Sequence, residues 1–147
     1  MEKILIADDE VDIREIMKSI IAKEGYEVIA VEDGTQALAT AREVKPDLVI
    51  LDYLMPGLNG IEVCRALQKE EETRRIPVII ITAYPNQKDE ALNAGAVDFL
   101  SKEADNVDIV WRIRSALKVR NVANELQRMI AYINELEKKV PPDSGSA

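Results

Sequence analysis

Asp8 and Asp9, then Asp52, Thr82 and Lys102, stand at matching points of the sequence, each set at the end of a short aliphatic run. Three carboxylates brought together repel one another, and the cluster is tolerable only if it is protonated or neutralised by a cation. Oxygen ligands without histidine or cysteine suit a hard ion, and a sparse protein shell suits Mg²⁺ with several retained waters. A carboxylate such as Asp52 is also a nucleophile that can form an acyl phosphate. The charge on a transferring phosphoryl group then needs a cation and hydrogen-bond donors. Lys102 and the Thr82 hydroxyl are of those types, and Ala83 is small enough to let a phosphate approach the backbone. Singly each residue has a plainer role: Asp8-Asp9 as a helix cap, Asp52 in an Asx turn, Thr82 as a turn hydroxyl, Lys102 as a solvated charge. The chemical reading rests on their convergence.

Convergence requires a scaffold, and the apolar pattern supplies one. Runs at 4–7, 28–31, 48–51, 78–81 and 97–100 are apolar on consecutive residues and rich in Ile, Val and Leu. That suits strands buried on both faces of a parallel sheet. Edge strands should be more mixed, as the run holding Asp98 is. Between the runs, Ile13, Ile16, Met17, Ile20 and Ile21 share helical spacing and predict one buried stripe, closed by Gly25. Further helices are expected at 35–43, 60–69 and 87–94, the last closed by Gly95, with a final helix beginning near Ala104. Five such units predict a doubly wound α/β fold with helices on both faces. Ligands bind such sheets at the carboxyl ends of the strands, where all the candidate residues fall.

Composition excludes several alternatives. The net charge of −8 argues against non-specific nucleic-acid binding, which needs a basic footprint. The chain has no histidine, so triad catalysis and His-ligated metals are out, as is a phosphohistidine of its own. One cysteine, Cys64, allows no disulfide and reads as a small buried group. The N-terminus lacks signal-peptide character, and no apolar run approaches the ~20 residues that span a bilayer. A cytoplasmic protein without membrane contact is expected.

The constellation resembles the response-regulator receiver family of two-component signalling, over residues 1–118. The resemblance implies a flavodoxin-like sheet of order 2-1-3-4-5. It implies that Asp8 and Asp9 are the acidic metal pair and that Asp52, within Asp52-x-x-Met55-Pro56-x-x-x-Gly60, is the phosphoacceptor and a metal ligand. The Leu54 backbone carbonyl completes the Mg²⁺ ligands, Thr82 and Lys102 serve catalysis, and Thr82 with Phe99 forms the switch. The donor is a sensor histidine kinase or a phosphotransfer protein. The chain would catalyse only its own phosphorylation and dephosphorylation, without turnover as an enzyme. Glu103 stands where the family usually has proline, which puts the cis peptide often formed there in doubt. Leu54 and Tyr84, flanking the acceptor, offer no acid or amide to orient a hydrolytic water, so slow autodephosphorylation is expected. Haloacid-dehalogenase phosphatases share the nucleophile and the metal, but they carry Asp-x-Asp where this chain has adjacent acids.

The last helix is expected to outrun the domain. No Gly or Pro lies between Ala104 and Val140, and Pro141-Pro142 then ends the helix and opens a tail, 141–147, expected to be disordered. Val119, Val122, Leu126, Met129, Ile133, Leu136 and Val140 repeat at spacings of 3 and 4, the signature of a coiled-coil seam over 119–140. At ~1.5 Å per residue the helix would reach roughly 30 Å past the domain. A helical wheel turns Ile109, Ile113 and Ala116 toward the sheet and sets Trp111 near the seam, at a homodimer contact. The signal would pass along this helix, to an effector domain not in this chain. Two other arrangements compete: the helix folds back onto its own domain, or the seam packs on a domain not in this chain; the competing function is a phosphorylation-independent dimerisation scaffold of the same fold.

Overall fold

The computed structural model describes residues 1–83 and 85–138, so Tyr84, Val140 and the expected tail lie outside the described residues. Five parallel strands form one sheet: β1 (Lys3–Ala7), β2 (Glu27–Val31), β3 (Leu48–Asp52), β4 (Val78–Thr82) and β5 (Asp98–Ser101). Their order is β2-β1-β3-β4-β5. The helices are α1 (Val11–Lys23), α2 (Gly34–Val44), α3 (Gly60–Lys69), α4 (Lys88–Asn93), α5 (Asn106–Val119) and α6 (Glu125–Glu137). β3 and β4 are buried at every residue, as consecutive apolar runs require, whereas edge strand β2 is only partly covered.

Alternation along the strands splits the core in two. Leu5, Val49, Leu51, Val78, Ile80 and Phe99 pack under Ala37, Ile61, Cys64 and Ala91 of α2, α3 and α4. Ile4, Ile6, Ile50, Ile79, Ile81 and Leu100 pack under Met17, Ile21, Ile109 and Ile113 of α1 and α5. The stripe expected on α1 is narrower than its spacing suggests: Met17 and Ile21 are buried, and Ile16 faces solvent. Cys64 is fully buried, its thiol 3.4 Å from the Ala94 carbonyl, and burial pushes that thiol up to about 12. Gly25 and Gly95 stop α1 and α4 at φ of +93° and +105°, the left-handed region that glycine enters without a Cβ penalty. No peptide bond among the described residues is cis, Lys102–Glu103 included.

The C-terminal segment corrects the expectation of one unbroken helix. α5 ends at Val119, the chain turns through residues 120–124, and α6 folds back over α5 and the β5 edge. The turn needs neither Gly nor Pro. Asn124 caps α6 by accepting the Gln127 N–H at 2.9 Å, and Arg120 anchors the end of α5 on Glu2 at 2.6 Å. The expected coiled-coil seam is thereby divided. Val119 is buried in the chain's own core, with Val122 and Leu136 packed against it, while Leu126, Met129 and Ile133 are exposed on α6. Trp111, expected at a homodimer contact, instead donates its indole N–H to the Leu136 carbonyl of the same chain at 3.3 Å. Asp98 fixes the arrangement from β5: its carboxylate accepts from Arg112 on α5 and from the Tyr132 hydroxyl on α6.

Candidate functional site

The sheet register brings the expected residues together. Asp8 follows β1, Asp52 is the last residue of β3, Thr82 the last of β4, and Lys102 follows β5. The strand ends are locked across the top of the sheet. The Tyr53 N–H donates to the Ile81 carbonyl at 3.0 Å, and the Lys102 N–H to the Thr82 carbonyl at 2.9 Å. Behind Asp52, the start of α3 presses on the strand end. A Cβ on Gly60 would lie 2.5 Å from the Asp52 carbonyl oxygen, so only glycine fits. A reciprocal capping box between Asn59 and Glu62 holds α3 in that place.

Lys102 is the hub. Its Nζ lies 3.0 Å from Asp52 Oδ2, 2.7 Å from Glu10 Oε1 and 3.6 Å from Asp8 Oδ2. Asp8 and Asp52 are each 5% exposed, and carboxylate oxygens of Asp8, Asp9, Glu10 and Asp52 all lie within 4.8 Å of one another. Burial, reinforced by the charge of Asp8, pushes the Asp52 carboxyl up to about 7 against the pull of Lys102. Burial raises Asp8 too, although the Glu10 N–H donates to it at 2.9 Å. Burial works against the Lys102 ammonium, but hydrogen bonds to Glu10 and Asp52 outweigh it and raise its affinity for the proton. One ammonium among four carboxylates leaves an excess of negative charge. A proton on Asp52 or a hard cation would relieve that excess, and the all-oxygen donor set fits Mg²⁺.

Thr82 is fully buried at the end of β4, and Phe99 lies 8% exposed in the core beneath α4. Leu54, in the loop after β3, has its side chain half-exposed. Glu10 was not among the expected site residues; its only sequence signal is the third acid of the Asp8-Asp9-Glu10 run.

Residues 4–114 match the sequence model of the response regulator receiver domain. The chain belongs to that family. Response regulator PleD of Caulobacter vibrioides is 40% identical over 129 residues, which is 86% of this chain and 28% of PleD. The DNA-binding response regulator MtrA of Mycobacterium tuberculosis is 36% identical over 119 residues, 80% of this chain and 51% of MtrA. The chain thus spans between about a quarter and half the length of these curated relatives. Among solved structures, the receiver domain of sensor histidine kinase PA1611 from Pseudomonas aeruginosa superposes with a TM-score of 0.69 at 28% identity. That alignment covers 74% of this chain and 91% of the other, whose active-site cleft coordinates a magnesium ion. The receiver fold and the membership in two-component signalling are therefore this chain's own. No helix among the described residues is long and apolar enough to cross a membrane.

Proposed function

We propose that this receiver accepts a phosphoryl group on Asp52 from the phosphohistidine of a sensor histidine kinase or phosphotransfer protein, in the cytoplasm. The observation that carries the reading is the placement of Lys102 Nζ 3.0 Å from Asp52 Oδ2, inside a ring of acids. An Asp52 oxygen attacks phosphorus as the P–N bond to the donor imidazole breaks, and the imidazole leaves with its electron pair. Lys102, already beside that oxygen, meets the negative charge gathering on the phosphoryl group, and the Thr82 hydroxyl donates to it. Asp8 and Asp9, with Asp52 and the Leu54 carbonyl, would hold Mg²⁺, which neutralises phosphoryl charge when bound. Phosphorylation displaces the Asp52 proton, so the reaction favours the ionised carboxylate. The switch at Thr82 and Phe99 works by packing, because Phe99 carries no hydroxyl.

The test is incubation of the 147-residue chain with Mg²⁺ and a small acyl phosphate, read by intact mass. One phosphoryl group should add to the wild type and none to Asp52→Asn. A scaffold that never takes phosphate would show no addition in either. Leu54 at the rim offers no group to orient water, which supports slow decay; an aspartyl phosphate lasting only seconds would overturn that part.

Homodimerisation belongs to the same reading on a different surface from the coiled coil. Leu126, Met129, Ile130 and Ile133 form an exposed stripe along α6, of the kind that marks an interaction face. Four side chains per copy fall well short of the roughly 20–30 residues a side of a stable interface. The association should be weak, and Ile133→Glu should remove any concentration dependence of the sedimentation coefficient. Relay to an effector domain, as in the longer relatives, would run through this segment.

A further inference from the structure

Arg128, on α6, poses a problem at the amino edge of the sheet, the end opposite the carboxylates. It is 6% exposed. Its Nη1 donates to the Val122 carbonyl at 3.3 Å, and its Nε has no hydrogen-bond partner. Among the described residues, no carboxylate lies within 4.0 Å of this guanidinium. A buried charge without a counter-charge is costly, and arginine cannot relieve the cost by losing its proton. Among the described residues the guanidinium has no counter-charge.

The surroundings indicate what would supply one. Arg128 lines a cavity of about 300 Å³ together with Gln68, Arg74, Arg75, Ala123 and Glu125. Gln68 comes from the end of α3, and Arg74 and Arg75 from the turn that leads into β4. Ala123 and Glu125 flank the start of α6, a 13-residue helix whose amino end carries partial positive charge. Three arginines thus face one glutamate, in a chain whose net charge is −8. The volume sits at the lower bound of the roughly 300–1,000 Å³ typical of small-molecule sites. Planar guanidinium forks match phosphate oxygens in bidentate geometry.

We infer that this cavity is an anion site that takes the phosphate groups of a small ligand of diphosphate size, held by Arg74, Arg75 and Arg128. The anion would supply the counter-charge that Arg128 lacks and sit on the amino end of α6. Glu125 at the rim opposes it and sets an upper limit on affinity. The site joins α6 to α3 and to the start of β4, so occupancy should hold α6 in its folded-back position. It is independent of Asp52, about which it assumes nothing.

The test is a titration of the ¹⁵N-labelled 147-residue chain with inorganic pyrophosphate, without divalent metal, against chloride at matched ionic strength. Saturable amide shifts are expected at Gln68 and from Ala123 to Arg128, with inorganic phosphate binding about tenfold more weakly through its fewer bidentate contacts. Arg74 and Arg75 are exposed, so the double variant R74Q/R75Q keeps the fold and should weaken binding by about fivefold or more. Glu125→Gln should tighten it by about twofold as a rim repulsion is removed. Arg128→Met should abolish saturation. Shifts no larger than those of chloride, or shifts unchanged in R74Q/R75Q, would overturn the proposal whether or not Arg128→Met folds.

Discussion

At the carboxyl edge of the sheet four carboxylates surround one lysine; at the amino edge three arginines line a cavity with one glutamate. Both ends gather like charge, but they can respond differently. A buried carboxylate adapts by keeping its proton, and Asp52 does so up to about 7. A guanidinium has no such recourse, and Arg128 lacks a counter-ion among the described residues. On the two proposals made above, the difference separates a site that would exchange a proton for a cation or a phosphoryl group from one that an incoming anion would complete.

The largest effect that tests this contrast should come from Lys102→Met. Removing a preorganised donor from a developing oxyanion costs about 10²–10³ in rate, and phosphorylation by a small acyl phosphate should slow by that order. A rate within a few-fold of wild type would deprive Lys102 of its role as hub.

The next test is pH. Asp52 binds its proton more tightly in the folded chain, about 7, than at the ordinary 3.8, and Asp8 shifts in the same direction. Their contribution to stability is complete below about 4 and is lost as pH rises through about 7. Metal-free protein should therefore lose stability on the order of a few kcal/mol over that window. Saturating Mg²⁺ should flatten the slope by replacing the proton. Denaturant melts at pH 4.5 and about 8, with and without metal, measure both; parallel melts would remove the proton from the account.

At the opposite end the sign reverses. Arg128→Met replaces an uncompensated buried charge with an apolar chain of similar length, and in anion-free buffer it should be neutral or stabilising by about 1–4 kcal/mol. A strongly destabilised variant would mean that the guanidinium is already satisfied. Smaller effects belong to α6 alone. Tyr132→Phe deletes a buried hydrogen bond to a charged acceptor, worth about 1.5–3 kcal/mol. Faster amide exchange in α6 with the sheet unchanged is the expected reading. Asn124→Ala removes the cap, at about 1 kcal/mol, and should speed exchange only in the first turn of that helix.

The carboxyl edge was legible because strand register does the work. Each aliphatic run ends at a polar residue, and a parallel sheet aligns those ends whatever the loops do. The α5–α6 break was not legible for the opposite reason. The 3-and-4 spacing of Val119, Val122, Leu126, Met129, Ile133 and Leu136 describes any amphipathic helix, and it passes through residues 120–124 without a breaker. The signal lay in Asn124, a good N-cap with its acceptor set for the Gln127 amide. Asp98 carried a second clue. It reads in sequence as edge-strand polarity, yet it is a buried acceptor for two side chains, Arg112 and Tyr132, on two different helices. Neither partnership can be read from spacing, since the Asp98–Tyr132 pair spans 34 residues.

Trp111 gives the molecule a built-in optical probe. It is the chain's only tryptophan, and its indole N–H rests on the Leu136 carbonyl near the end of α6. When α6 lifts, that ring exchanges a peptide carbonyl for water, and its emission should move to longer wavelength. Intrinsic fluorescence therefore reports the position of α6 in unlabelled protein and in real time: release of the helix moves the emission to longer wavelength, and an anion that holds the helix down should oppose that change.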